Sequence, residues 1–195
     1  MHQFPKLPQM FALCAAALVA TSSFALTSAE HKAEKHRIEA DYKAAKAACK
    51  SMKGNAKDVC EKEAKGHEKV ALAELEYKQD ASEGKRYKLA KTKADADYEI
   101  AKERCDDQAG NPKDVCKKDA KAAHVKAVEA AKVAEARNEA GKSPAAKAAD
   151  VAEARKDAAA HTREADYKAA AERCDALSGD AKSACVDDAK RKFGQ

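Results

Sequence analysis

An all-α fold is predicted for this chain, with three tandem disulfide-stapled helical hairpins that form an elongated helical bundle or array. Alanine, lysine and glutamate favour helices and dominate the composition, whereas the 195 residues include only 7 glycines and 4 prolines. A pair of cysteines with a glycine between them recurs three times. Large aliphatic residues are sparse, so we expect thin helix-to-helix contacts rather than a thick core.

The charge pattern predicts solvated helix faces. Charged residues make up 36% of the chain, but lysine and glutamate are interleaved and the net charge is only +5. Such interleaving suits ion pairs three or four residues apart on a helix and gives only a weak preference for anionic partners. Basic residues are neither segregated nor interleaved with aromatic ones, so no nucleic-acid partner is expected.

The N-terminal segment, residues 1–25, is predicted to be a secretory signal peptide. Lys6 precedes an apolar run at 10–20, and small residues follow at 23 and 25. Cleavage is expected after Ala25, with Ala29 as a second acceptable site. The apolar run is too short to span a bilayer, so no stable membrane anchor is expected after cleavage, and Cys14 is removed with the peptide. Six cysteines then enter an oxidising compartment, which we expect to be the periplasm.

One 26-residue unit recurs without gaps from Ala40, Ala96 and Ala165. Each copy places a tyrosine seven residues before its first cysteine and a glycine five residues after it. The repeat divides the chain into hairpin units at 26–83, 84–141 and 142–195, and the third has a shortened second helix. The tyrosines fall on the predicted contact between the two helices, two turns from the cysteine, where packing is their expected role: Tyr42, Tyr98 and Tyr167.

The glycine of each copy is predicted to end one helix, and the next residue to start another. Glycine adopts the left-handed conformation of a helix C-terminus without a Cβ penalty, and an Asn or Asp side chain can accept a hydrogen bond from the free N–H groups of the following helix. Pro112 suits the first position of a helix. The turn residues are Gly54 with Asn55, Gly110 with Asn111, and Gly179 with Asp180.

The cysteines lie at equal distances on either side of this turn, so two antiparallel helices would bring them together. A disulfide is therefore expected within each copy, and closing a loop of this length should contribute about 3 kcal/mol. Alanines at helical spacing are predicted to form the remaining contact between the two helices of a hairpin. They include Ala45 before the first turn and Ala120, Ala123 and Ala127 after the second. The expected pairs are Cys49–Cys60, Cys105–Cys116 and Cys174–Cys185.

Two segments between the copies can break the helices. Residues 141–144 form a strong stop and restart, with Ser143 as cap and Pro144 at the first helical position. Residues 80–84 form a weaker break. If both segments turn, six helices run up and down; if Gly84 is absorbed, one long helix joins the first two hairpins.

Neither a catalytic constellation nor a metal or cofactor site is predicted, and the chain is not expected to be an enzyme. Thiolates suit soft metals, but zinc ligands usually come in closely spaced pairs, and here ten residues separate the partners. The histidines are expected on polar surfaces, with a weak divalent-metal contribution from the first two left open: His31, His36, His67, His124 and His161.

The motif AKxxC-x-x-x-x-G-N-A-K-D-V-C-x-x-E-A-K resembles a group of exported, alanine- and lysine-rich proteins of Gram-negative bacteria, sometimes labelled TolA-like cell envelope biogenesis proteins. The resemblance implies a periplasmic address and an envelope or stress function, without an assigned catalytic residue. We therefore expect a structural or interaction protein whose partner is an unidentified envelope protein or polyanion. A metal-binding or metal-stress protein and a chaperone-like or polyanion-binding helix array are the alternatives, and the oligomeric state is left open.

Overall fold

The computed structural model describes residues 26–195, so the predicted signal peptide lies outside the described residues. These residues form six α-helices and one short turn of 3₁₀ helix at Cys105–Asp107. The predicted all-α class is confirmed. The helices are α1 (Ser28–Cys49), α2 (Gly54–Gln79), α3 (Glu83–Arg104), α4 (Asn111–Asn138), α5 (Pro144–Cys174) and α6 (Gly179–Phe193).

The helices run up and down in chain order, and both uncertain segments break the chain. Residues 80–82 separate α2 from α3, so Gly84 lies in the first turn of α3 and no long helix joins the first two hairpins. Residues 139–143 separate α4 from α5. We call the equivalent segments 50–53, 106–109 and 175–178 turn 1, turn 2 and turn 3. Because each turn follows an odd-numbered helix, all three lie at the same end of the molecule.

The packing follows the chain, since the extensive contacts among the described helices join elements that are neighbours in sequence. The six helices therefore form an open array rather than a closed bundle. Alanine dominates the buried apolar set, which allows close helix approach but buries little area. That set is Ile38, Cys49, Ala64, Ala73, Leu75, Ala94, Ala96, Cys105, Ala122, Ala131, Ala169, Cys174 and Ala189.

Side-chain caps fix two helix starts. The Thr27 hydroxyl accepts a hydrogen bond from the Glu30 main-chain N–H at 3.2 Å, and the Glu30 carboxylate accepts one from the Thr27 N–H at 2.8 Å. Ser143 accepts a hydrogen bond from the Ala146 N–H at 3.2 Å, and Pro144 is the first residue of α5. The cap predicted at Ser143 is confirmed.

Candidate interaction surface

Each hairpin is closed by the predicted disulfide close to its turn. The Cα atoms are 5.6 Å apart in Cys49–Cys60 and Cys105–Cys116, and 5.7 Å apart in Cys174–Cys185. The first cysteine of each pair is fully buried. The second cysteine of each pair is half-buried, so the exposed surface of the hairpins is made mainly by other side chains.

The turn glycines have the positive φ that was predicted, but the ψ of −151° at Gly110 is not that of a left-handed helix, and the place of the glycines in the hairpin differs. Gly54, Gly110 and Gly179 have φ of 57°, 60° and 55°. The preceding helices already end at or next to the first cysteine, five or six residues earlier, and each glycine lies at the start of the second helix. The predicted role of the following Asn or Asp as a side-chain cap is wrong, because none of these three helix starts has a side-chain cap hydrogen bond.

The asparagines instead link one hairpin to the next. The Asn55 side-chain amide donates to the main-chain carbonyl of Glu103 at 3.0 Å, and that of Asn111 donates to the carbonyl of Glu172 at 2.8 Å. Both glutamates lie two residues before the first cysteine of the following copy. Since an ionised carboxylate cannot donate, the Asp180 side chain could not make this bond.

Ion pairs surround the first of these links. We call the α2–α3 contact junction 1 and the α4–α5 contact junction 2. At junction 1, Lys62 lies 3.7 Å from the Glu103 carboxylate, and Arg104 pairs with Glu63. These side chains are partly exposed, so each pair is worth less than about 1 kcal/mol and mainly fixes the register of the helices.

Junction 2 repeats the arrangement at equivalent positions. Lys118 lies 3.6 Å from the Glu172 carboxylate, and Arg173 donates to both oxygens of Asp119 at 2.6 Å. All three contacts of junction 1 thus recur at junction 2. The residues of α4 lie 56 positions after their equivalents in α2, and those of α5 lie 69 positions after their equivalents in α3. The repeat extends beyond the hairpins to the way in which they join.

A small residue allows close approach at each junction. Gly66 of α2 is buried, and a Cβ built there would lie 3.2 Å from the Ala96 Cβ and 3.4 Å from the Ile100 Cδ1. The equivalent residue of α4 is the buried Ala122. In α6 this position is Arg191, which is exposed and pairs with Asp188 of its own helix.

The two ends of the array lack the junction residues. Where α3 and α5 have Glu and Arg before the cysteine, α1 has the exposed residues Ala47 and Ala48. Where α2 and α4 have Asn and Lys, α6 has the exposed residues Asp180 and Asp187. Sequence reasoning missed the junctions, although these replacements in the first and third copies were the signal.

The tyrosines are half-buried beside the helix contacts, and lysines cover two of the rings. The Lys65 Nζ lies 5.0 Å from the centre of the Tyr42 ring, and the Lys121 Nζ lies 5.2 Å from that of Tyr98. The expected alanine contacts are wrong at Ala45, Ala123 and Ala127, which are exposed. In α4 the reason is that neighbours on both sides bury a different set: Ala122, Glu129 and Ala131.

Two histidines join helices rather than facing solvent alone. His124 of α4, with 14% of its side chain exposed, lies 2.6 Å from an Asp95 carboxylate oxygen of α3, and its ring centre is 5.0 Å from that of Tyr98. The expected surface position of His124 is therefore wrong, because it lies in the contact between α3 and α4. His161 of α5 lies 3.0 Å from the Glu129 carboxylate of α4.

Glu129 is a buried carboxylate at junction 2, with 6% of the residue exposed. Besides His161, it accepts a hydrogen bond from Lys132 at 2.8 Å. Burial raises the pKa of Glu129, but the two hydrogen bonds outweigh it, and the pKa lies below its ordinary value. Glu129 is thus ionised and paired inside the junction.

Carboxylates neutralise lysines across turns 2 and 3. In turn 2, Asp106 accepts from Lys113 at 2.8 Å and from Lys117 at 2.7 Å, and these hydrogen bonds lower the pKa of Asp106 to about 2. In turn 3, the equivalent Asp175 lies 2.9 Å from Lys182. The aspartate after the first cysteine therefore balances the cations that follow in the second helix.

Comparisons with known proteins add no name to this geometry. No family model, curated protein or solved structure matches the chain. Within residues 26–195, no three His, Cys, Asp or Glu side chains converge as a potential metal site. None of the helices described between residues 28 and 193 has the length and apolar character needed to cross a membrane.

Proposed function

We propose that this chain is a periplasmic structural or interaction protein of the cell envelope. Its disulfide-linked hairpins present charged helical faces to another envelope component, and the protein performs no catalysis. The observation that carries this proposal is the fixed array itself. Two matching junctions hold three hairpins in one order, with all three turns at one end and with different residues on the outer faces of α1 and α6.

The disulfides support the proposed periplasmic location. Disulfides persist in oxidising compartments, and the three pairs are formed in the folded chain. Because their sulfurs are already paired, they offer no thiolates to a soft metal, and the metal-binding alternative gains no support from them.

The start of α1 supports cleavage of the signal peptide after Ala25. This cut leaves Thr27 in place, together with its reciprocal hydrogen bonds to Glu30. A cut after Ala29 would remove the cap, which is typically worth about 1 kcal/mol of helix stability. We therefore expect the mature chain to begin at Leu26.

Export and in-cell crosslinking test the proposal together. The chain is expressed in a Gram-negative bacterium with a photo-crosslinking amino acid at an exposed position of each hairpin, Lys43, Ala127 or Lys168. We expect periplasmic protein without free thiols and a discrete envelope product from one hairpin. A probe at Leu75, which is 2% exposed, is the matched control and should give no product. Cytoplasmic retention, or diffuse products from every site, would contradict the proposal.

A further inference from the structure

Turn 1 differs in charge from the two turns aligned with it. The residue after the first cysteine is Lys50, whereas the equivalent residues are Asp106 and Asp175. Those aspartates pair with lysines of the second helix, among them Lys113 and Lys182, which are the equivalents of Lys57. In turn 1 this cross-turn partner is replaced by a second cation, and Lys57 only reaches Glu61 of its own helix at 4.0 Å.

Further lysines extend this cationic turn. Lys43, Lys46 and Lys53 are exposed, as is Lys50. None of these four lysines lies within 4.0 Å of a carboxylate of residues 26–195. The stretch from 43 to 58 contains five lysines and a single acid, Asp58. Lysines at 43, 46 and 50 also lie on one side of the last turns of α1. The first hairpin therefore ends in an exposed patch of positive charge.

An apolar side chain stands in the middle of this patch. Met52 is 45% exposed at the tip of turn 1, between Lys50 and Lys53. Turn 2 has Gln108 at the equivalent position. Turn 3 has Leu177, which is 44% exposed but is followed and preceded by aspartates, at 180 and 175. Turn 1 is thus the turn in which an exposed apolar tip and cations coincide.

We infer that turn 1 docks on an anionic phospholipid surface, with Met52 at the boundary between headgroups and acyl chains and the surrounding lysines at the phosphates. This inference rests on the proposed envelope function and names a partner for it. A basic cluster near a bilayer gains from the negative surface potential, and long lysine side chains keep their charge in the headgroup layer while their stems lie deeper. A nucleic acid would attract the same cations but offers no apolar layer to a methionine.

The sequence of the other turns supplies the test variant. Lys50→Asp installs the residue found in turns 2 and 3, so the fold should tolerate it and Lys57 should regain a partner across the turn. Met52→Ser removes the apolar tip without changing the charge. Leu177→Ser is the matched control, because it removes an equally exposed apolar tip from an acidic turn.

Vesicle co-sedimentation measures the effect on protein purified from the periplasm, with its N-terminus verified by mass spectrometry. We expect binding to vesicles of phosphatidylethanolamine and phosphatidylglycerol, weakening with salt, and none to phosphatidylcholine vesicles. Lys50→Asp should lower the partition coefficient at least about tenfold, because it lowers the net charge of turn 1 by two units. Met52→Ser should lower it about fivefold, and Leu177→Ser should leave it unchanged. Circular dichroism confirms that each variant is folded.

Several results would overturn the inference. Equal binding to both kinds of vesicle, no binding to either, or no effect of Lys50→Asp would exclude turn 1 as an anionic-lipid site. No effect of Met52→Ser, together with equal binding to a short DNA duplex, would reveal a general affinity for polyanions. These failures remain distinct from failure of the proposed function, because an exported chain that crosslinks to a discrete envelope protein without binding vesicles loses only this inference.

Discussion

The contacts inside the hairpins and the contacts between them follow different rules of repetition. Inside the hairpins, the two cysteines and the turn glycine occur in all three copies. At the junctions, the asparagine link and its ion pairs occur twice, between the first and second and between the second and third hairpins. A hairpin needs its disulfide wherever it stands, whereas a junction residue is useful only where a neighbour exists.

This difference explains why the copies diverge where they do. The first copy has alanines at the outer positions of α1, and the third has aspartates and Arg191 on α6. In repeat proteins the terminal units need polar outer faces, and stability is the sum of unit and nearest-neighbour contributions. The outer face of α6 is polar in the same way. Its aspartates cannot replace the asparagine and lysine with which α2 and α4 contact the next hairpin.

Among changes inside a hairpin, loss of the disulfide should lower the free energy of unfolding most. Replacing both Cys105 and Cys116 with Ala should lower the free energy of unfolding by about 3 kcal/mol, because the pair closes a short loop over a helix contact that buries little area. Circular dichroism melts with and without reductant provide the companion measurement on the unaltered chain. Superimposable melts would show that the disulfides contribute little.

A bulky residue at the closest point of junction 1 should give the next largest effect. Gly66→Arg installs the residue that α6 carries at its open face, and the new side chain would meet Ala96 and Ile100. Overpacking of this kind costs about 1–3 kcal/mol, more than the roughly 1 kcal/mol that arginine gains over glycine in a helix. Urea unfolding measures the difference.

Gly84→Arg is the matched control for this substitution. Gly84 is exposed in the first turn of α3, and a Cβ there would meet nothing within 4 Å. The control should be close to neutral, because the gain in helix propensity is opposed by the cost of a positive charge in the first turn of a helix. Equal stability of the two variants would show that α2 and α3 do not approach closely at residue 66.

Acid should act on junction 2 through Glu129, with a smaller effect. The pKa of this carboxyl is lowered from 4.5 in the folded chain, so its contribution to stability is present above that pH and is lost as the pH falls through the folded value. Glu129→Gln should therefore make the free energy of unfolding fall less steeply between about pH 5 and pH 3. Glu153→Gln, at an exposed position of α5 without an ion-pair partner among the described residues, provides the control. Parallel curves for Glu129→Gln and the unaltered chain would contradict the prediction.

The hairpins were predictable from the sequence because their signals are local. Cysteine spacing, the turn glycine and the cap at Ser143 each act within a few residues, and the disulfides and Ser143 cap formed as predicted. The helix ends were less predictable, since α1 continues only to Cys49 and its last residues need no glycine to stop.

The junctions were not predicted because they join residues far apart in the chain. Asn55 and Glu103 are 48 residues apart, and Asn111 and Glu172 are 61 apart. An asparagine beside a helix start predicts a cap, which is its commonest local use. The burial of His124 likewise depends on how α3 and α4 pack. The junction residues leave a signal in the sequence at the positions where the three copies differ, not at those that they share.

The central claim is that the turn asparagines stabilise the array only where another hairpin follows. The direct test compares the urea unfolding of Asn55→Asp, Asn111→Asp and Asp180→Asn. The first two lose a donor and place a carboxylate against a carbonyl, which should cost about 1–2 kcal/mol; a negative charge at the helix start would return less than about 1 kcal/mol. Asp180→Asn, whose side chain makes no contact with a further hairpin in the described residues, should change stability by less than about 0.5 kcal/mol. Equal effects at all three positions would contradict the account.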